Sequence, residues 1–227
     1  MLSKLLALLM TFLTLGQTAI SDYTDEMSLG GNLFLINRDY RISADYVPDD
    51  LVMPNVKRGG SGVKMRKEAA EALEKLFAAA KEEENYTLLA ISGYRSYQSQ
   101  TNIYRRKVKN AGVKQANLLV ALPGTSEHQL GLAMDVGCKN NTGLTGGFGK
   151  LPEGKWVAEN CYRFGFIIRY KEEWTETTGY AYEPWHIRYV GVEHAMRIKE
   201  LDIPLEDYVK TLREAQETLA LQSVGKE

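Results

Sequence analysis

The sequence predicts an α+β domain, a small antiparallel sheet with helices packed around it, and three observations predict it. Short strand-like segments at 87–92, 128–138, 166–170 and 184–190 are separated by helical stretches and turn-rich loops. One long segment, 64–84, carries apolar residues at helical spacing with its charges on the other face. Composition supplies the third: 44% hydrophobic and 25% charged residues in 227 are those of an ordinary globular chain, which excludes a disordered chain, a collagen-like fibre and a polytopic membrane protein. Twenty-eight Lys and Arg against 29 Asp and Glu give a net charge of −1, so no nucleic-acid partner is expected.

Lys4 is the only charge in the first 21 residues, and the apolar run after it decays into Ala19-Ile20-Ser21. This reads as a secretory signal peptide or, if retained, an N-terminal membrane anchor, although the run is short for a spanning helix. Either reading places the folded part outside the cytoplasm. Residues 22–60 alternate short apolar runs with Pro48, Pro54 and acidic turns. They read as an arm wrapping a core, with one short strand at 33–36. In the helix over 64–84, Ala69, Leu73, Leu76, Phe77 and Ala80 form the apolar face. A buried strand follows at 87–92, then a second helix over 96–111, capped by Ser96 and ended by Gly112. Residues 128–138 alternate as a strand, 140–154 form a Gly-rich loop and 155–162 a helix. Strands at 166–170 and 184–190 flank a polar loop over 172–182. Helices over 192–200 and 205–212 close the fold, separated by Pro204. Trp156, Phe164 and Phe166 read as core, and His194 as a residue held by packing or a hydrogen bond. The expected organisation is a leader at 1–21, one domain over 22–212 and a polar, frayed tail at 213–227. The domain of about 190 residues is enough for one sizeable core.

The chain has three histidines and two cysteines. His128 sits in S-E-H-Q-L-G-L-A-M-D, with Asp135 seven residues later. On an extended segment an odd offset puts two side chains on opposite faces. Gly131 between them offers a bend or bulge that would bring them together. The other piece is E-P-W-H, Glu183 to His186. Two His and one Asp make a three-ligand zinc set with a fourth position left open. Glu183, off the metal, is then the candidate to take a proton from water. Taken singly, each residue has an ordinary alternative as a core or surface side chain. Two of three histidines beside Asp and Glu favour the metal. Cys138 and Cys161, the only pair in a chain expected to be exported, predict one disulfide closing a loop of 23 residues (161 − 138). Two buried thiols are the alternative, and neither cysteine has the spacing of a metal ligand.

These motifs resemble those of the LAS zinc metallopeptidases (lysostaphin, D-Ala-D-Ala and hedgehog types). S-E-H-Q-L-G-L-A-M-D is similar to SxHxxGxAxD, and E-P-W-H to ExWH. S-G-Y-R-S-Y-x-x-Q at 92–100, the arm at 44–52 and G-Y-x-Y-E-P-W-H-I-R-Y-V-G look like VanY-type D-alanyl-D-alanine carboxypeptidases within that group. The resemblance spans 33–210 with no motif position missing. It implies the LAS fold and Zn²⁺ held by His128, Asp135 and His186, with Glu183 as catalytic base. It also implies Arg95 near the scissile carbonyl, catalytic and substrate-binding, and Gln100 and Ser126 binding the terminal carboxylate. Trp185 and Tyr182 would wall the cleft. The implied reaction is hydrolytic release of D-alanine from peptidoglycan stem peptides. An exported monomer would perform it, at the outer face of the cell membrane or in the cell wall. An L,D-carboxypeptidase cutting tetrapeptide stems is the alternative, and a non-catalytic zinc-containing wall-binding module of hedgehog kind the more distant one.

Overall fold

The apolar periodicity of residues 64–84 becomes helix α1 (Lys67–Glu84) in the computed structural model, which describes residues 25–224. The expected leader at 1–21 lies outside the described residues. Among the described residues no helix is long and apolar enough to cross a membrane. The described residues fall into two compact units, residues 36–196 and the flanking segments 25–35 with 197–224.

In the larger unit α1 starts three residues later than its pattern. Met65–Arg66 (β2) pairs antiparallel with Leu51–Val52 (β1) first. Ala69, Ala70, Leu73, Leu76, Phe77 and Ala80 form its buried face, and Asn85 ends it in a left-handed conformation. The main sheet has four antiparallel strands in the order β3-β4-β6-β5: β3 (Leu88–Ser92), β4 (Ala133–Cys138), β5 (Phe166–Tyr170) and β6 (Glu183–Tyr189). Every residue of β4, an inner strand, and of β5, an edge strand, is buried, so both strands are covered on their two faces. Helix α2 (Tyr97–Leu119) begins where Ser96 accepts a hydrogen bond from the Ser99 amide, as expected. It does not stop at Gly112: the backbone kinks there and helix resumes to Leu119. Helix α3 (Pro152–Asn160) starts on its proline, and Trp156 is buried on it. Phe166 is core, but Phe164 is only half-buried, with the Arg163 guanidinium over its ring.

The arm is built as expected in one respect: Ile42 N–H donates to the Gly124 carbonyl, and Gln129 Nε2 donates to the carbonyls of Ser43 and Tyr46. The strand expected at 33–36 is irregular chain instead. Leu33, Leu35 and Ile36 are buried, so the apolar run reflects burial and not strand pairing. Helix α4 (Val192–Leu201) carries His194, which is buried. Helix α5 (Leu205–Val224) runs through the residues expected to be frayed tail. Its buried stripe of Leu205, Tyr208, Val209, Leu212 and Ala215 continues past 212 at helical spacing.

Candidate active site

The site forms where two strand pairs, β3–β4 and β5–β6, lose their regular register. Asp135 on β4 lies directly opposite His186 on β6, so the two side chains project from the same face of the sheet. The β3–β4 ladder shifts between Ala90 and Ser92, and the β5–β6 ladder shifts between Ile168 and Tyr170. Such irregularities re-aim side chains. Here they let Glu183 and His186, an odd offset apart, line one cleft. The same device serves His128. The expected strand over 128–138 begins instead as a 3₁₀ turn, Glu127–Leu130, and Gly131 then turns the chain with φ +70° before β4 starts. A Cβ at Gly131 would sit 2.8 Å from Leu51 Cδ2. The turn swings His128 over the sheet, with its Nε2 3.3 Å from Asp135 Oδ1. Gly93 completes the support: its carbonyl accepts from His128 Nδ1–H at 2.7 Å, and a Cβ there would lie 2.4 Å from the Lys64 carbonyl oxygen.

His128, Asp135 and His186 are all buried, with one ligand atom from each within 4.8 Å of the others. His128 spends its Nδ1–H on Gly93, and its buried Nε2 has no hydrogen-bond partner among the described residues. Burial, with the Arg95 charge, lowers its pKa to about 4, so the ring is neutral and offers a lone pair. Burial opposes the charged form of Asp135, yet His128 and His186 hold its carboxyl well below the usual range. His186 Nδ1 lies 3.1 Å from Asp135 Oδ1. Burial works against its charge, but hydrogen bonds to Asp135 and Glu127 raise its pKa. Two imidazoles and a carboxylate, converging and buried, fit zinc by the chemistry of the donors.

Glu183 and Arg95 complete the cleft. Burial lifts the Glu183 carboxyl to about 7; His186 opposes the shift and Asp135 adds to it. Arg95 N–H donates to the His128 carbonyl, which ties the turn after β3 to the metal-ligand turn. Arg95 Nη2 lies 4.0 Å from Asp135 Oδ2, and its Nε is buried without a hydrogen-bond partner among the described residues. Gln100 donates one Nε2 hydrogen to the Ala121 carbonyl at 2.7 Å, which leaves its second for a ligand. The two stand with Ser126, Trp185 and the residues above around one cleft of about 230 Å³. Tyr182, expected as a wall, is partly exposed and is not among the residues lining that cleft.

Every expected site residue except Tyr182 and the cysteines therefore meets in one place. Cys138 and Cys161 are buried thiols with no disulfide between them. Cys138 ends β4, where its thiol engages the Glu153 carboxylate and the backbone at Asn140 and Asn141, a setting that gives it partners other than sulfur. Four residues escaped the sequence reading: Glu127, Arg169, Tyr170 and Arg188. Glu127 Oε2 lies 3.1 Å from His186 Nε2. Its Oε1 takes Arg169 Nε at 2.7 Å and Arg188 Nη1 at 3.0 Å. Tyr170 lies tilted against His186, ring centroids 5.0 Å apart. A signal was present: Arg169 and Arg188 are charges flanked by apolar or aromatic residues within strands, and buried charges need partners.

The profile of the family described as VanY, D-alanyl-D-alanine carboxypeptidase, matches residues 62–192. A D-alanyl-D-alanine carboxypeptidase of Enterococcus faecium is 36% identical over 213 residues, covering 89% of this chain and 65% of the relative. The chain thus spans just under two thirds of that relative's length. The structure of the LdcB LD-carboxypeptidase, reported with the molecular basis of peptidoglycan recognition, superposes with a TM-score of 0.73. It is 45% identical and covers 78% of this chain and 85% of its own. A mutant of the vancomycin-resistance D,D-pentapeptidase VanY, solved in complex with Zn(II), superposes with a TM-score of 0.64. It is 37% identical and covers 78% of this chain and 98% of its own.

Proposed function

The chain belongs to the VanY family of D-alanyl-D-alanine carboxypeptidases, and from that premise we propose that it is a zinc carboxypeptidase releasing the C-terminal D-alanine of peptidoglycan stem peptides. The observation that carries the reading is the convergence of His128, Asp135 and His186 beside Glu183 and Arg95 in one cleft. The three ligands would hold Zn²⁺, which when bound supplies Lewis-acid chemistry, acidifying water and polarising a carbonyl. Glu183 then acts as proton carrier. Its carboxyl, poised near neutrality, takes a proton from the attacking water and returns it to the departing amine. Arg95 supplies a fixed cation that draws in the substrate's terminal carboxylate and steadies the developing oxyanion. Gln100, through its remaining Nε2 hydrogen, and Ser126 orient the same carboxylate. A free main-chain carboxylate on the residue just past the scissile bond exists only at a chain end, so this recognition favours an exopeptidase. The apolar leader pattern of residues 1–21 supports export to the wall, where such stems lie.

The second reading, an L,D-carboxypeptidase acting on tetrapeptide stems, is favoured by the likeness to LdcB. One experiment separates them. Purified protein is incubated with pentapeptide and tetrapeptide stems, each as free acid and as C-terminal amide, with and without chelator, and the products are weighed by mass spectrometry. Chelator-sensitive loss of one D-alanine from the free-acid pentapeptide is expected. Cleavage of the tetrapeptide alone replaces the first reading by the second. Amides cut as fast as acids, or cleavage untouched by chelator, would sink the carboxypeptidase assignment.

A further inference from the structure

Inside the larger unit, behind His186 and away from Asp135, lies a buried cluster of two arginines and one carboxylate. Arg169 and Arg188 are among the largest fully buried side chains of the protein, and Glu127 is buried with them. Arg188 lies two residues after His186 on β6, so both point to the same face of the sheet. Arg169 reaches the same carboxylate from β5. Packing does not account for the cluster. A buried arrangement of this kind gives little stability over apolar residues of equal volume, because the desolvation of each ion offsets their attraction. Its geometry points elsewhere. Two arginines hold Glu127 Oε1, so the carboxylate cannot swing, and its Oε2 faces His186 Nε2 at 3.1 Å.

We propose that Glu127, clamped by Arg169 and Arg188, is the positioning residue of the metal site. It accepts the Nε2–H of His186 and thereby turns the Nδ1 lone pair of that ring toward the metal. This rests on the metal-site reading above. The two histidines then present different nitrogens, Nε2 from His128 and Nδ1 from His186, each fixed by what the other ring nitrogen donates to: Gly93 O for His128 and Glu127 for His186. A histidine ligand held by a carboxylate behind it is oriented before the metal arrives and is made more basic as a donor. Tyr170 lies against the ring and limits its other motions.

Glu127→Gln tests the proposal because it is nearly isosteric. The two arginine donors claim the amide oxygen, so the NH₂ faces His186 and donates to Nε2. That reverses the tautomer and leaves the proton on Nδ1, where zinc would bind. Zinc affinity, read by chelator competition, is expected to fall roughly 10–100-fold. Nitrogen NMR of the metal-free protein, taken above the raised pKa of His186 so that the ring is neutral, should show its one proton on Nε2 in the wild type and on Nδ1 in the variant. Circular dichroism should be unchanged. A folded Glu127→Gln protein with wild-type zinc affinity overturns the proposal, as does an unchanged His186 proton position. If that variant does not fold, Arg169→Lys takes its place. It keeps the charge but loosens the grip on Oε1, and it is expected to weaken zinc several-fold; unaltered affinity there overturns the clamp. Wild-type protein that takes up no zinc fails the metal reading itself, a result distinct from either variant's.

Discussion

Burial leaves Glu183 with a carboxyl that titrates near 7 in the metal-free protein, and this fixes the sign of a pH effect on stability. Between its ordinary pKa of 4.5 and about 7 the folded state binds the proton and the unfolded state does not. The group's contribution is therefore full below pH 4.5 and is lost as pH rises through 7. Glu183→Gln cannot ionise and escapes that loss. Chelator-treated Glu183→Gln should gain on the wild type by on the order of 1–3 kcal/mol between pH 5 and pH 8, measured by urea denaturation. A difference that does not vary with pH would show that Glu183 is solvated and is not the poised proton carrier. The roles of His128, Asp135 and His186 were legible in the sequence because zinc needs few donor types. Glu127 was not, because its partners Arg169 and Arg188 lie 42 and 61 residues away along the chain.

Irregular elements, more than regular ones, make the site. The alternation over 128–138 reads as one strand, yet its first three residues belong to the 3₁₀ turn Glu127–Leu130 because Gly131 reverses the chain. Gly131→Ala should cost about 1–2 kcal/mol from the left-handed backbone alone, with the contact against Leu51 added. It should also shift His128 and so lower zinc occupancy, as measured by metal analysis. Gly146→Ala is the control. No atom lies within 4 Å of a Cβ there and its φ is not in the left-handed range, so both readouts should stay near wild type. Equal losses in the two variants would show that the Gly131 turn does not position His128. Periodicity located α1, α2 and the four sheet strands to within a few residues at most ends. It misjudged the C-terminal side of α2 and of α5, where helix continues through Gly112 and through a polar stretch because Ala116 and Ala215 are still buried.

At the scale of the molecule, the larger unit is held by its core and its buried polar clusters and not by a covalent bridge. Cys138 and Cys161 are buried thiols, so unreduced protein in denaturant should show two reactive thiols per chain with a colorimetric thiol reagent. The folded protein should react far more slowly. Absence of thiols in the unfolded, unreduced chain would restore the disulfide that the cysteine count predicts. Pairing by count assumes that two cysteines in one chain find each other, and only the path of the chain between 138 and 161 decides that. The amino-acid sequence by itself determined the class of fold and pointed to the proposed zinc donor set and proton carrier. Periodicity is a local property, and a metal site must draw on a short menu of residue types. Tertiary structure alone decided that Asp135 faces His186 across a strand pair and that odd-spaced residues share a face through shifts of register. It alone set a buried carboxylate and two arginines behind one ligand. Those are contacts between distant segments, and their energies exist only once the sheet has closed.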